Sequence, residues 1–128
     1  MRFLVMVKAS EQSEDGAEPD AEEMAAMGRY NDELIKAGVL LAGEGLLESA
    51  KGALVRFTNG TPTVIDGPFA EAKELVAGFW LIDVKSKEEA IEWVKRIPCT
   101  DGAESDVEIR QVYEAGDLIA AVTANHGG

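Results

Sequence analysis

Cysteine and histidine are almost missing from this chain of 128 residues: each occurs once, as Cys99 and His126. One cysteine cannot close an internal disulfide, and it reads as an incidental reduced thiol of a cytosolic protein. A catalytic thiol needs a base beside it, and the only histidine is the third residue from the end. The same scarcity excludes a His/Cys zinc cluster and a Ser-His-Asp triad in the folded core. Neither a Walker lysine motif nor a Rossmann fingerprint occurs, and no cofactor is expected. Positive charge is short as well. Lys and Arg total 12 against 24 Asp and Glu, a net charge of −12. The closest basic pairs, Lys85/Lys87 and Lys95/Arg96, are embedded among acids. Nucleic acid and anionic membrane surfaces are therefore not expected partners. No apolar run is long enough to span a bilayer. Met1 to Val5 is too short for a signal peptide and reads as a strand, which points to a cytoplasmic protein. No internal repeat of solenoid or propeller type is visible.

What the chain does have is 46% hydrophobic residues, ordinary for a globular protein, in a length that predicts one domain. We place that domain at residues 1–114, with a C-terminal tail over 115–128 in which Leu118 to Val122 could still dock. The stretch from Thr61 to Val84 organises the rest. At its centre stands Asp66-Gly67-Pro68-Phe69, where a permissive glycine and a proline of fixed φ make a rigid turn between an acid and a ring. Upstream, Met1 to Lys8 fits a first strand, and Ala9 to Pro19 an acidic loop. Asp20, with Glu23 three residues on, opens a helix that Gly38 ends. Met24, Met27, Asn31, Leu34 and Ile35 recur at helical spacing, with Arg29 and Tyr30 off the centre of that face and read as surface residues, the alternative being that they reach the rim of a cleft. Val39 to Leu47 fits a strand, with Gly43-Glu44-Gly45 marking a bulge or a close backbone approach. Ala53 to Thr58 and Thr61 to Asp66 form a hairpin about Asn59-Gly60. Val76 to Val84 reads as a central strand, apolar on both faces. Ser86 to Glu89 caps a second helix that Pro98 stops, and Val107 to Tyr113 is the last strand. Without the hairpin this order is βαββαβ, an α+β, ferredoxin-like (split βαβ) antiparallel sheet with two helices on one face. The other face keeps apolar side chains, so a homodimer of dimeric α/β-barrel type, sheet against sheet, is expected.

Chemistry has few places to reside. Asp66 and Glu44 are the candidate catalytic carboxylates, since an acid beside an apolar wall can serve as general acid or base. Phe69, Lys73, Phe79 and Trp80 are the candidate ligand-binding residues, Lys73 as the partner of an anionic group. Each has a plainer reading. Asp66 can cap its own turn, Lys73 can pair with Glu71 or Glu74 at the surface, Glu44 can face solvent, and Phe79 and Trp80 can be core or dimer contact. No metal site is expected, and no reaction type can be assigned.

DGPFAEAKELVAGFWLIDV, followed by KSKEEAIEWVKRIP and VEIRQVYEA, resembles the DGPF-domain branch of the YCII-related proteins, and MGRYNDELIKAGVLLAGEGL fits the same pattern. The resemblance covers most of Met1 to Glu114 in the expected order. It departs at Ala72, where the family pattern often has threonine. It implies a small ferredoxin-like fold paired into a dimer, with activities mostly unassigned. Some relatives resemble enzymes with a histidine-aspartate pair in their cleft, a mechanism this chain cannot share without a core histidine. Two functions follow: a small molecule bound or transformed in a cleft near the DGPF turn, or a regulatory role linked to extracytoplasmic-function sigma factors. A structural dimer module without chemistry is the third reading.

Overall fold

A computed structural model describes residues 1–71, 74–98 and 105–116. Lys73, Cys99, His126 and the segment 118–122 lie outside the described residues. The elements run β1 (Arg2–Lys8), α1 (Glu11–Glu14), α2 (Ala21–Lys36), β2 (Leu40–Gly45), a 3-10 turn (Ser49–Lys51), β3 (Ala53–Thr58), β4 (Thr61–Asp66), β5 (Val76–Asp83), α3 (Lys87–Lys95) and β6 (Val107–Gln111). Four strands make one sheet in the order β2-β5-β1-β6, and β3 and β4 make a separate ribbon. Every pairing is antiparallel. The most apolar strand, β5, is central, as its two apolar faces require.

Register partners lie on the same side of an antiparallel sheet. Phe3 pairs with Ile82 and Val5 with Trp80. These four join Tyr30 and Leu34 of α2, Ala90 of α3, Val39 and Val84 in one buried cluster. Both helices therefore cover one face of the sheet. Leu4 pairs with Leu81 and Met6 with Phe79, and this quartet lies on the opposite face, half-buried only by its own neighbours. Among the described residues no helix is long and apolar enough to cross a membrane.

Local signals account for most boundaries. Asn59 (φ 51°) and Gly60 (φ 81°) turn the hairpin in left-handed backbone, the geometry that matches strand twist. Asp20 caps α2 by accepting from the Glu23 N–H at 2.8 Å. Gly38, at φ 73°, donates to the Ile35 carbonyl and Val39 to that of Leu34, a Schellman ending.

Three expectations need correction. The segment from Ala9 to Pro19 is not loop throughout. Ser10 and Ser13 cap each other reciprocally and open the one-turn helix α1; a serine in place of the usual Glu or Gln at the third position hides the cap. Tyr30 is not at the surface but 5% exposed, whereas Met24 and Ile35 are 62% and 60% exposed. The buried stripe runs through Met27, Tyr30, Asn31 and Leu34, because the Tyr30 ring meets Trp80 edge to face at 5.4 Å and its hydroxyl donates to the Trp93 carbonyl at 2.7 Å. An Ile at 35 offers neither contact. Finally, β2 ends at Gly45, and its irregularity falls between Leu40 and Ala42 rather than at the glycine pair. The glycine pair serves close approach instead: a Cβ on Gly43 would stand 2.9 Å from Trp80 Cδ1.

Candidate functional site

The Asp66–Phe69 turn is held against the 3-10 turn that follows β2. The Gly67 N–H donates to the Gly52 carbonyl at 3.1 Å, and the Gly67–Pro68 peptide bond is cis. Gly67 is not among the glycines with positive φ. What it supplies is space: a Cβ there would lie 1.7 Å from the Ser49 carbonyl oxygen. Two backbone segments meet with no room for a side chain.

Beside this junction lies a cavity of about 420 Å³. Its apolar wall is Leu46, Leu47, Phe69, Leu75 and Val76, and its polar side is Glu14, Glu48, Ser49 and Lys51. Four separate stretches build it. Leu46 is fixed at the end of β2 by an N–H bond to the Ala77 carbonyl at 2.8 Å, and Leu75 is fixed by accepting from the Ala9 N–H at 2.9 Å. Glu14 of α1 reaches across to the 3-10 turn, accepting from the Ser49 N–H at 3.0 Å and from its hydroxyl. Both its oxygens are thereby engaged. Glu48 stands 3.5 Å from the Lys51 ammonium, with the carboxylate side chain 17% exposed and the lysine 62%. An ion pair with so exposed a cation stabilises Glu48 only weakly. The cavity can therefore accept an apolar body and hydrogen-bond donors aimed at a sheltered carboxylate.

The sequence-derived candidates are dispersed. Phe69 lines the cavity. Asp66 is exposed at the end of β4, paired with Ala53, which is itself a cavity-lining residue; Asp66 thus adjoins the rim. Glu44 is exposed and opposite Phe79, so both stand on the open sheet face, away from the cavity. Trp80 is the clear correction. It is 7% exposed, and its indole N–H donates to Asn31 Oδ1 at 2.7 Å, which makes it core. Phe79 and Trp80 cannot form one wall, because successive strand residues point to opposite faces. Lys73 lies outside the described residues.

Glu14, Glu48 and Ser49 were missed. Glu14 falls in what read as a solvated acidic loop, and nothing local marks Glu48-Ser49 as facing a cavity; only the return of the chain after β4 encloses them. Elsewhere, burial pushes the Tyr30 hydroxyl up to about 12, with Glu33 adding to the shift and Arg96 opposing it. Hydrogen bonds from Arg110 and Lys8 hold Glu108 below the usual carboxylate range, and Arg2 does the same for Glu114. None of these groups lines the cavity. Among the described residues no group of His, Cys, Asp or Glu could hold a metal ion.

Comparison with known proteins adds three findings. A family model described as the YCII-related domain matches residues 1–116. A protein of Rhizobium meliloti (strain 1021), described as uncharacterized, is 31% identical over 103 residues, covering 79% of this chain and 83% of its own length. Among solved structures, 5-chloro-2-hydroxyhydroquinone dehydrochlorinase (TftG) of Burkholderia phenoliruptrix, in complex with 2,5-dihydroxybenzoquinone, matches with a TM-score of 0.50 at 19% identity, over 91% of this chain and 99% of that one. The last is a likeness of fold, a mixed α+β architecture with an antiparallel sheet.

Proposed function

The chain belongs to the YCII-related domain family, and on that premise we propose that it binds a small organic molecule in the cavity beneath the Asp66–Phe69 turn. The observation that carries this reading is the cavity itself. At about 420 Å³ it falls in the range of small-ligand sites, and it combines an apolar wall with a few convergent polar groups, the usual make-up of such sites. Phe69, Leu46, Leu47 and Leu75 offer apolar surface for the body of a ligand beside Glu48. The ligand is then a compact, largely apolar molecule that carries hydroxyl or amine donors. The TftG fold relative, itself an enzyme acting on a hydroxylated ring and seen with a dihydroxybenzoquinone, makes hydroxylated aromatics the first compounds to try. Glu48 is the group best placed to take a proton from such a ligand, if the site is catalytic as well as binding. Asp66 belongs to the rim in this reading.

The residues Asp66 to Phe69 support the DGPF branch of the family as the finer reading. The strand order β2-β5-β1-β6 supports the reading of a split βαβ fold with the hairpin inserted, and the open apolar face of the sheet supports a homodimer of α/β-barrel type. The sigma-factor reading rests on no residue of this chain, and the cavity favours the small-molecule reading.

The test is a thermal-shift screen of dihydroxybenzenes, dihydroxyquinones and small hydroxylated aliphatics, followed by titration calorimetry of the hits. Phe69→Ala and Glu48→Gln should each weaken binding about tenfold, the equivalent of about 1.4 kcal/mol. Hits that bind wild type and both variants equally would place the site elsewhere.

A further inference from the structure

The lining of the cavity holds two carboxylates and one ammonium, those of Glu14, Glu48 and Lys51, and the three are not equally free to meet a ligand. Glu14 engages both oxygens with Ser49. The Lys51 side chain is largely exposed, and its ammonium stands 3.5 Å from the sheltered Glu48 carboxylate, farther than the roughly 2.7–2.9 Å of a charge-assisted hydrogen bond. Among the described residues no other ion pair reaches Glu48. The chain at Gly16 closes against it: a Cβ there would stand 3.3 Å from Glu48 Oε1. The hydrogen-bond donors of the same wall are already used. Ser49 gives its N–H and its hydroxyl to Glu14. Lys51 gives its N–H to the Glu48 carbonyl, Gly52 to the Ser49 carbonyl, and Leu46 to that of Ala77. An anionic ligand group would therefore meet one exposed lysine and two carboxylates. We propose that the ligand of this cavity is a cation: a primary or secondary ammonium on a compact apolar body, donating its N–H groups to Glu48. The proposal rests on the small-molecule reading above and narrows it from donors in general to ammonium groups.

Charge decides between amine and hydroxyl. A hydroxyl can donate to Glu48, but an ammonium donates and also neutralises the carboxylate. Attraction between unit charges is several-fold stronger in a partly desolvated site than in bulk water. A sheltered carboxylate therefore gains most from a partner that brings its own positive charge. The rest of the chain acts in the same direction, since a net charge of −12 draws small cations in and turns anions away. The apolar wall of Leu46, Leu47, Phe69, Leu75 and Val76 takes the body of the molecule, and the Phe69 ring is a surface to which cations are attracted. A quaternary ammonium carries the charge without an N–H, so it separates the two parts of the interaction.

Titration calorimetry with four compounds that share one body tests this: phenethylamine, phenethyl alcohol, phenylacetate and phenethyltrimethylammonium. The protonated amine should bind about tenfold tighter than the alcohol, the quaternary ammonium should fall between the two, and phenylacetate should not bind. Raising sodium chloride to about 0.5 M should weaken the amine and leave the alcohol unchanged. Glu48→Gln, checked for folding by circular dichroism, should bring amine and alcohol to equal affinity. Lys51→Ala, a change at an exposed side chain, should tighten the amine, the opposite of its effect on an anion site. Equal binding of amine and alcohol by wild type, with both lost in Phe69→Ala, overturns the cation and leaves the cavity as the binding site. Tightest binding of phenylacetate, lost in Lys51→Ala, overturns the cation in favour of an anion at the same place. Amine binding untouched by both Glu48→Gln and Phe69→Ala overturns this proposal and the cavity reading together. Absence of binding by all four compounds overturns the cation, and the screen of hydroxylated compounds then tests the cavity by itself.

Discussion

Replacing Gly67 with alanine should be far more harmful than a glycine-to-alanine change normally is. The added Cβ would meet the Ser49 carbonyl oxygen at 1.7 Å and its carbon at 2.5 Å. Both are backbone atoms, so no rotamer change can make room. Forcing a methyl group into a packed junction costs about 1–3 kcal/mol. Displacing the turn also loses the Gly67 N–H bond to the Gly52 carbonyl, about 1 kcal/mol more. A total of about 2–4 kcal/mol corresponds to a melting point lower by roughly 8–20 °C in a domain of this size. Gly28 is the control. It lies in the exposed middle of α2, and a Cβ there meets nothing within 4 Å. Gly28→Ala should stabilise by about 0.5–1 kcal/mol through backbone entropy and helix propensity. Paired thermal and urea denaturation of the two variants therefore gives shifts of opposite sign. The variant Gly67→Ala should also lose affinity for any cavity ligand, because Phe69 moves with the turn. A Gly67→Ala protein that melts within a degree of wild type would refute the close contact, and with it the account of why the cavity has its shape.

The alkaline limit of stability should be set in part by Tyr30. Its hydroxyl is pushed from 10.0 to about 12 in the folded chain, so its contribution is complete below pH 10 and is lost as pH rises from 10 to 12, by about 2–3 kcal/mol. Urea midpoints at pH 9 and pH 11.5 should show that slope in wild type, and Tyr30→Phe should flatten it at the cost of the bond to Trp93. Glu14→Ala leaves the Ser49 N–H without its acceptor and should cost about 1–2 kcal/mol, read in denaturation midpoints and as faster hydrogen exchange over residues 10–16. An unchanged exchange rate there would mean that α1 is held by its serine cap alone.

The parts of this molecule that could be read directly are those specified by near neighbours. Asn59-Gly60 requires left-handed backbone, so the hairpin and its register follow from two residues. Asp20, Gly38 and Ser86 satisfy orphan helix groups within a turn, so α2 and α3 could be bounded. The seven apolar residues between Val76 and Val84 required a central strand, and the element order then limited the sheet to few arrangements. The helix face was harder, because Tyr30 and Ile35 differ by little in periodicity and by much in what they touch: Trp80, and a carbonyl on α3.

The site was only partly legible. Phe69 was, since it follows a turn that could be recognised. Glu14, Glu48 and Leu75 were not, because they are far apart in the chain and meet only when α1, the 3-10 turn and β5 close around one space. Local sequence by itself determined the turns, caps, strand alternation and acidic character of this protein, all of them governed by interactions spanning four residues or fewer. Tertiary structure alone decided which carboxylate is sheltered, which tryptophan is core, and why position 67 is glycine, because each depends on a segment at least 15 residues away in the chain arriving within contact distance.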